Sequence, residues 1–354
     1  MIKGVNSMKI RERGIQIGQM HTGKNNCITD VQGVHVGHVT LEYPINEQGD
    51  VACTGVTAIL PHGGNLFQQK VTAASYVING FGKTTGLIQV NELGVIESPI
   101  MLTNTFSVSA VTHGTLQYLL GQNEDIGLTT GTVNIVVGEC NDSHLNSIRH
   151  LSVTPEHAIQ AIENATQQKV DEGAVGAGKG MVCFGYKGGI GTSSRIVNVP
   201  GSADSFTVGC LVLTNFGASH EMQKDRYKAS KAQQQSTVSP TDGSIMIVLA
   251  TDIPISSSQL TRVLKRCGIG LGRTGSHFSH GSGDIVIGFT TAHKINHNGS
   301  DYIESRKQIR DDHPIMNELF KAAAEVTEEA IMNSLSQAKT TKGRNGNIVE
   351  AYQF

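Results

Sequence analysis

One junction constrains this chain more than any other. At residue 244 a polar, turn-rich stretch stops and the strongest strand signal in the sequence begins. Gln233-Gln234-Gln235-Ser236-Thr237-Val238-Ser239-Pro240-Thr241-Asp242-Gly243 gives way to Ser244 and the apolar run Ile245-Met246-Ile247-Val248-Leu249-Ala250. An unbroken aliphatic run of this kind, bounded by turn residues, reads as a strand buried on both faces. A serine at the exposed start of such a strand, preceded by glycine, is also a place where a chain can cut itself. A serine hydroxyl is a poor nucleophile until a base takes its proton. A freed α-amine, which titrates near ~7.7–8 in a model peptide, can be that base. Gly243 tolerates backbone angles closed to other residues, so strain can be placed on the Gly243–Ser244 bond. On local sequence alone, the simpler reading is an ordinary Gly-Ser entry into a buried strand.

Composition narrows the class. The chain of 354 residues carries 28 Lys+Arg against 30 Asp+Glu, a net charge of −2, so no bulk field favours nucleic acid or an acidic membrane. Glycine, at 41 residues, is well above average usage, and tryptophan is absent. Many tight turns and close backbone contacts follow, which suits a sheet-rich enzyme-like fold. No apolar run approaches the ~18 residues of a membrane helix, and the first residues lack an apolar signal core; Met1 and Met8 both offer starts. Cysteines 27, 53, 140, 183, 210 and 267 form no CxxC pair and sit mostly in apolar runs, as reduced core thiols do. The expectation is a cytoplasmic protein without metal or cofactor.

The pattern predicts strands at 33–40, 55–60, 71–78, 132–137, 206–214, 245–250 and 284–290. It predicts helices at 107–121, from Thr154-Pro155 to about Lys169, from Ser257 to about Gly268, and near 314–336. Residues 217–242 alone have linker composition. Strands in runs with helices grouped between them suggest a layered α+β fold rather than strict βαβ alternation.

Several local motifs carry two readings each. Gly173-Ala174-Val175-Gly176-Ala177-Gly178-Lys179-Gly180 nearly matches a phosphate-binding loop. Gly180 stands where Ser or Thr is needed, and the preceding segment reads as helical where the motif needs a strand. A glycine loop lying close to other backbone is the better reading. His277/His280 and His293/His297 have ligand-like spacings without the HExxH pattern, and read as solvated loop histidines. Ser282 and Asp284, two apart at a strand start, would share a side and could orient an N-terminal serine, though both are also common turn residues. Glu139, just past the strand 132–137, could hold a substrate ammonium or be a plain loop carboxylate. Asn215, ending the strand 206–214, could donate to an oxyanion or simply make a turn.

Taken together, the segments resemble the DmpA-like L-aminopeptidase/D-esterases, which include the β-peptidyl aminopeptidases. The likeness runs through Ile28-Thr29-Asp30-Val31-Gln32-Gly33-Val34-His35-Val36-Gly37-His38, Thr54-Gly55-Val56-Thr57-Ala58-Ile59-Leu60-Pro61, and Leu102-Thr103-Asn104-Thr105. It continues in Glu172-Gly173 to Gly178, Gly185-Tyr186-Lys187-Gly188-Gly189-Ile190-Gly191-Thr192-Ser193-Ser194-Arg195, and Asp242-Gly243-Ser244-Ile245. It closes in Arg273-Thr274-Gly275-Ser276 and Gly281-Ser282-Gly283-Asp284. So many ordered matches are more specific than any single motif.

The resemblance implies a four-layer αββα sandwich similar to the N-terminal nucleophile hydrolases, with different connectivity. It implies one catalytic domain, 1–354, that cuts itself between Gly243 and Ser244 into an α-chain of 1–243 and a β-chain of 244–354. Ser244 would be the nucleophile, its α-amine the base, and Ser282 and Asp284 the orienting partners; relatives also carry Glu at the last position. Asn215 matches the oxyanion donor and Glu139 the carboxylate that reads the free amine. Asn141 stands where the prototype has a tyrosine whose hydroxyl helps to form the oxyanion site. The substrates implied are short peptides, amides or esters with a free amine, of L, D or β configuration, and the assembly implied is a homotetramer. Two other classes stay open at this stage: an acyltransferase of the ornithine acetyltransferase type, which uses threonine, and an unprocessed non-catalytic homologue.

Overall fold

The computed structural model describes residues 8–227, 243–299 and 301–354. Its first half holds strands β1 (His35–Pro44), β2 (Val51–Leu60) and β3 (Gln69–Gly80), helix α1 (Leu87–Leu93), β4 (Val95–Ile96), β5 (Ile100–Asn104), α2 (Val108–Gln122), β6 (Val136–Cys140) and α3 (Pro155–Glu163). There follow β7 (Val182–Cys183), β8 (Tyr186–Lys187), β9 (Gly189–Asn198), β10 (Ser205–Asn215), β11 (Ser244–Thr251), α4 (Ser257–Leu264), α5 (Cys267–Thr274), β12 (Gly283–Asn296), α6 (Ile315–Ser336), β13 (Thr341–Lys342) and β14 (Ile348–Val349).

The aliphatic run after Ser244 dictates the layering. Successive side chains of a strand point to opposite faces. Ile245, Ile247 and Leu249 of β11 pack with Leu260, Leu271 and Leu319 of α4, α5 and α6. Met246, Val248 and Ala250 meet Ile100, Leu102 and Val136 of a second sheet. That second sheet is covered on its far side, where Val56, Ala58 and Met101 join Val111 and Leu119 of α2 and Ala158 and Ile162 of α3. The result is four layers, with α2 and α3, a four-stranded sheet, a six-stranded sheet, and α4 to α6 stacked in turn. The α+β class and the αββα sandwich expected from the sequence are what the chain adopts.

The six-stranded sheet has the order β4-β3-β12-β11-β10-β9 and the four-stranded sheet β1-β2-β5-β6. The β11–β12 and β5–β6 pairs are parallel and the other pairs antiparallel. Close approach of α6 to the sheet depends on glycine. A Cβ on Gly191 of β9 would lie 2.0 Å from the Ala330 carbonyl, and one on Gly270 of α5 2.4 Å from the Ala324 carbonyl.

Several boundaries differ from the sequence expectation; β1 runs to Pro44, β2 begins at Val51 and β12 continues to Asn296. The strand expected at 132–137 begins only at Val136, because Asn134 is held by Glu97 and by the Gly86 carbonyl instead of by a neighbouring strand. Glu139 therefore lies within β6, opposite Thr103, not beyond the strand. The helix from residue 155 stops at Glu163, since Thr166 exchanges two backbone hydrogen bonds with Val36. The helix expected over 257–268 is two helices, and α5 runs on to Thr274. Much of the 217–242 segment lies outside the described residues.

Candidate active site

Ser244 opens β11 in the middle of the larger sheet, between β10 and β12. Its register partners are Asn215 on the antiparallel side and Gly283 on the parallel side. The serine is buried, with 6% exposure. Its hydroxyl donates to the Gly243 carbonyl at 2.6 Å, and the Gly283 N–H points to both that carbonyl (3.2 Å) and the Ser244 Oγ (3.3 Å). The bond expected to break, the attacking oxygen and a backbone donor are thus within one ladder rung.

Gly283 is flanked by the two residues singled out from the sequence. Ser282 Oγ donates to Asp284 Oδ1 at 2.6 Å, so the two do share a side. The other carboxylate oxygen, Oδ2, is buried with no hydrogen-bond partner among the described residues. Burial pushes the Asp284 carboxyl up to about 6, and the Ser282 hydroxyl pulls against that shift. A buried acceptor left unsatisfied costs about 1–3 kcal/mol, so this oxygen favours a donor placed beside it.

Asn215 closes β10 and is fixed through both ends of its amide. Its Oδ1 accepts from the Val182 N–H at 3.0 Å, and its Nδ2 donates to the Asn141 carbonyl at 2.9 Å. The Val182 contact sets which way the amide faces and leaves the second Nδ2 proton for another acceptor. Asn141, at the place where the resemblance has a tyrosine, enters through its backbone. It offers its main-chain carbonyl to Asn215, while its own side chain is exposed and accepts from the Ser143 N–H.

Glu139 is buried, and its two oxygens accept from the Lys83 N–H (2.8 Å) and from the Thr105 hydroxyl. Among the described residues no cation lies within ion-pair distance of it; the Lys83 ammonium sits instead over the Phe81 ring at 4.9 Å. A buried carboxylate without a counter-charge is expensive to keep unless a ligand brings one. Gly82 shows how near this lies to the serine's rung. A Cβ there would be 3.4 Å from Glu139 Oε1 and 3.7 Å from the Gly283 Cα.

The structure therefore brings Ser244, Ser282, Asp284, Asn215 and Glu139 to one end of the two facing sheets. The backbone donors at Gly283, Lys83 and Val182 carried no sequence signal, because an N–H belongs to every residue but proline. Thr105 was quoted only within a matching segment. The near-phosphate loop is a packing device. Its N–H groups are taken by Thr40, Thr57, Val175 and Gly176, and a Cβ on Gly180 would lie 2.3 Å from the Cys53 carbonyl. The segment before it is irregular, not helical. His297 is not a solvated loop histidine: it is half-buried, bonded to Lys70 and Thr130 and packed 4.4 Å from the Phe67 ring.

Comparison with known proteins points the same way. The profile of peptidase family S58 matches residues 26–349. A β-peptidyl aminopeptidase, BapA, of Sphingosinicella microcystinivorans is 38% identical over 348 residues, covering 93% of this chain and 85% of the relative. Among solved structures, the PH0078 protein from Pyrococcus horikoshii OT3 is similar at 47% identity and a TM-score of 0.89, covering 97% of this chain and 96% of that one. The L-aminopeptidase D-Ala-esterase/amidase from Ochrobactrum anthropi, described as a new variant among the Ntn hydrolase fold, is 32% identical with a TM-score of 0.89, covering 98% and 95%.

Proposed function

The chain belongs to peptidase family S58, and on that footing we propose that it is a self-processing serine aminopeptidase with amidase and esterase activity. It releases the N-terminal residue of short peptides, amides or esters that carry a free amine. The observation that carries this reading is the rung at Ser244, where nucleophile, scissile carbonyl and the Ser282–Asp284 pair adjoin.

In self-cleavage Ser244 Oγ attacks the Gly243 carbonyl carbon, the C–N bond breaks, and the acyl group passes to oxygen as an ester. Water then hydrolyses the ester, leaving a Gly243 carboxylate and a Ser244 α-amine. That amine lies one register step from Asp284, whose second oxygen, unpartnered among the described residues, it can satisfy. With substrate, the amine takes the Oγ proton, Oγ attacks the carbonyl, and Asn215 Nδ2 donates to the oxyanion. The proton passes to the leaving amine, and water releases the acyl group by the same steps. Glu139 holds the substrate's ammonium, with Lys83 N–H and Thr105 aiming its oxygens.

The resemblance extends the proposal to α-chains of 1–243 and β-chains of 244–354 that stay associated within one catalytic domain, and to a homotetramer of such units. A cytoplasmic location accords with six cysteines that are all free and buried. No helix among the described residues is long and apolar enough to cross a membrane. A denaturing gel tests the cut. Purified protein should run as two bands, with Ser244→Ala as one band near 37.7 kDa. A wild-type chain that stays whole with time, or a Ser244→Ala protein that still hydrolyses amino-acyl anilides, would overturn the reading.

A further inference from the structure

Lys187 is a fully buried cation that the mechanism above does not use. Among the described residues no carboxylate lies within ion-pair distance of it. Its Nζ donates instead to three backbone carbonyls, Gly178 at 3.0 Å, Met181 at 2.8 Å and Gly188 at 2.9 Å. An ammonium has three donors and no acceptor, so each proton has one carbonyl. The contacts gather the end of the glycine loop and the turn after β8 around one point. Burial pulls this amine down to about 7, against the pull of nearby Cys53 and Asp142.

What the cup holds in place bears on catalysis. Met181 is followed by Val182, whose N–H fixes the Asn215 amide, and Val182 is the register partner of Lys187. The same hairpin grips the next residue of the chain, since the Phe184 N–H donates to the Phe216 carbonyl at 2.7 Å. Without the Val182 contact the amide could turn its oxygen toward the developing oxyanion, which would repel it.

We propose that Lys187 is a positioning residue for the oxyanion donor, acting through Met181 and Val182 on the Asn215 amide. The proposal rests on the aminopeptidase reading above. It makes Lys187 a residue of transition-state stabilisation rather than of substrate affinity, since Glu139 reads the amine independently. Loss of an oxyanion donor costs about 10²–10³ in kcat, and a misplacement of ~1 Å can cost about 10².

The test is a double-mutant cycle on the processed enzyme with an amino-acyl anilide. Lys187→Met should lower kcat by about 10²-fold with KM within about two-fold. In an Asn215→Ala background the same substitution should change kcat by less than about two-fold, because the group it positions is gone. Val182→Pro removes the N–H while leaving Lys187 in place and should repeat both results, so the cycle can be closed on whichever variant folds. Unchanged kcat in a folded variant, or a loss that multiplies in full onto Asn215→Ala, overturns the role of Lys187. A wild-type protein that cleaves no amino-acyl anilide overturns the aminopeptidase reading itself, a separate outcome.

Discussion

At the scale of single residues, the site holds one carboxylate, Asp284, whose surroundings disfavour charge. Asp284 is held near 6 by burial, above the unfolded value of about 3.8. Its contribution to the stability of the uncut chain is therefore fully present below about pH 4 and is lost as pH rises through about 6. Ionised at pH 7, it costs the precursor on the order of 2–3 kcal/mol. Asp284→Asn placed on the uncut Ser244→Ala protein should raise the melting temperature at pH 7 and have no such effect near pH 4, which thermal denaturation at the two pH values would show. In the processed enzyme the acid limb of kcat/KM should be set by the α-amine, which titrates near ~7.7–8 in a model peptide. Glu139→Gln keeps the hydrogen-bonding shape but removes the charge. KM for substrates with a free amine should rise by ~30-fold or more, from the ~2–5 kcal/mol that goes with breaking a buried charge pair. Activity on such substrates that is indifferent to this change would remove Glu139 from amine recognition.

At the scale of elements, the fold's legibility followed the apolar pattern. The run 245–250 had no room for anything but a strand, and its alternation between Ile245/Ile247/Leu249 and Met246/Val248/Ala250 sorts two different cores. The Ser282–Asp284 pair was legible because a spacing of two fixes a shared side on any strand. The strand β9, Gly189–Asn198, was not legible as an element, since Gly-Gly-Ile-Gly-Thr-Ser-Ser-Arg has no aliphatic run. It becomes a strand because glycines let α6 lie against it and because Ser193, Ser194 and Arg195 find hydrogen-bond partners on other elements. The start of β6 and the end of α3 were likewise set by contacts far away in sequence, at Glu97 and Val36. Gly191→Val should thus cost about 3 kcal/mol or more by forcing side-chain atoms into the α6 backbone, and urea denaturation would read it. A fall of less than ~1 kcal/mol would show that α6 can retreat.

At the scale of the molecule, the proposed cut leaves two pieces that the fold continues to interlock. β11 and β12 lie between β3 and β10 in one sheet, so this pair is hydrogen-bonded on both sides to strands before residue 244. Helix α6 adds a buried ionic tie across the same divide, with Arg195 bonded to Glu325 (2.8 Å) and Glu329 (2.6 Å) and Arg11 also on Glu329. The pieces should elute together in gel filtration and part only in denaturant. Arg195→Met should destabilise by about 3–5 kcal/mol, because it leaves glutamates buried without their cation. The position of Ser244 in the sheet has a further consequence. Its neighbours Asn215 and Gly283 reach it only after β10, β11 and β12 have paired. On the proposed cut, a catalytic amine would be made only in molecules that have already assembled correctly, so activity would certify the enzyme's own folding.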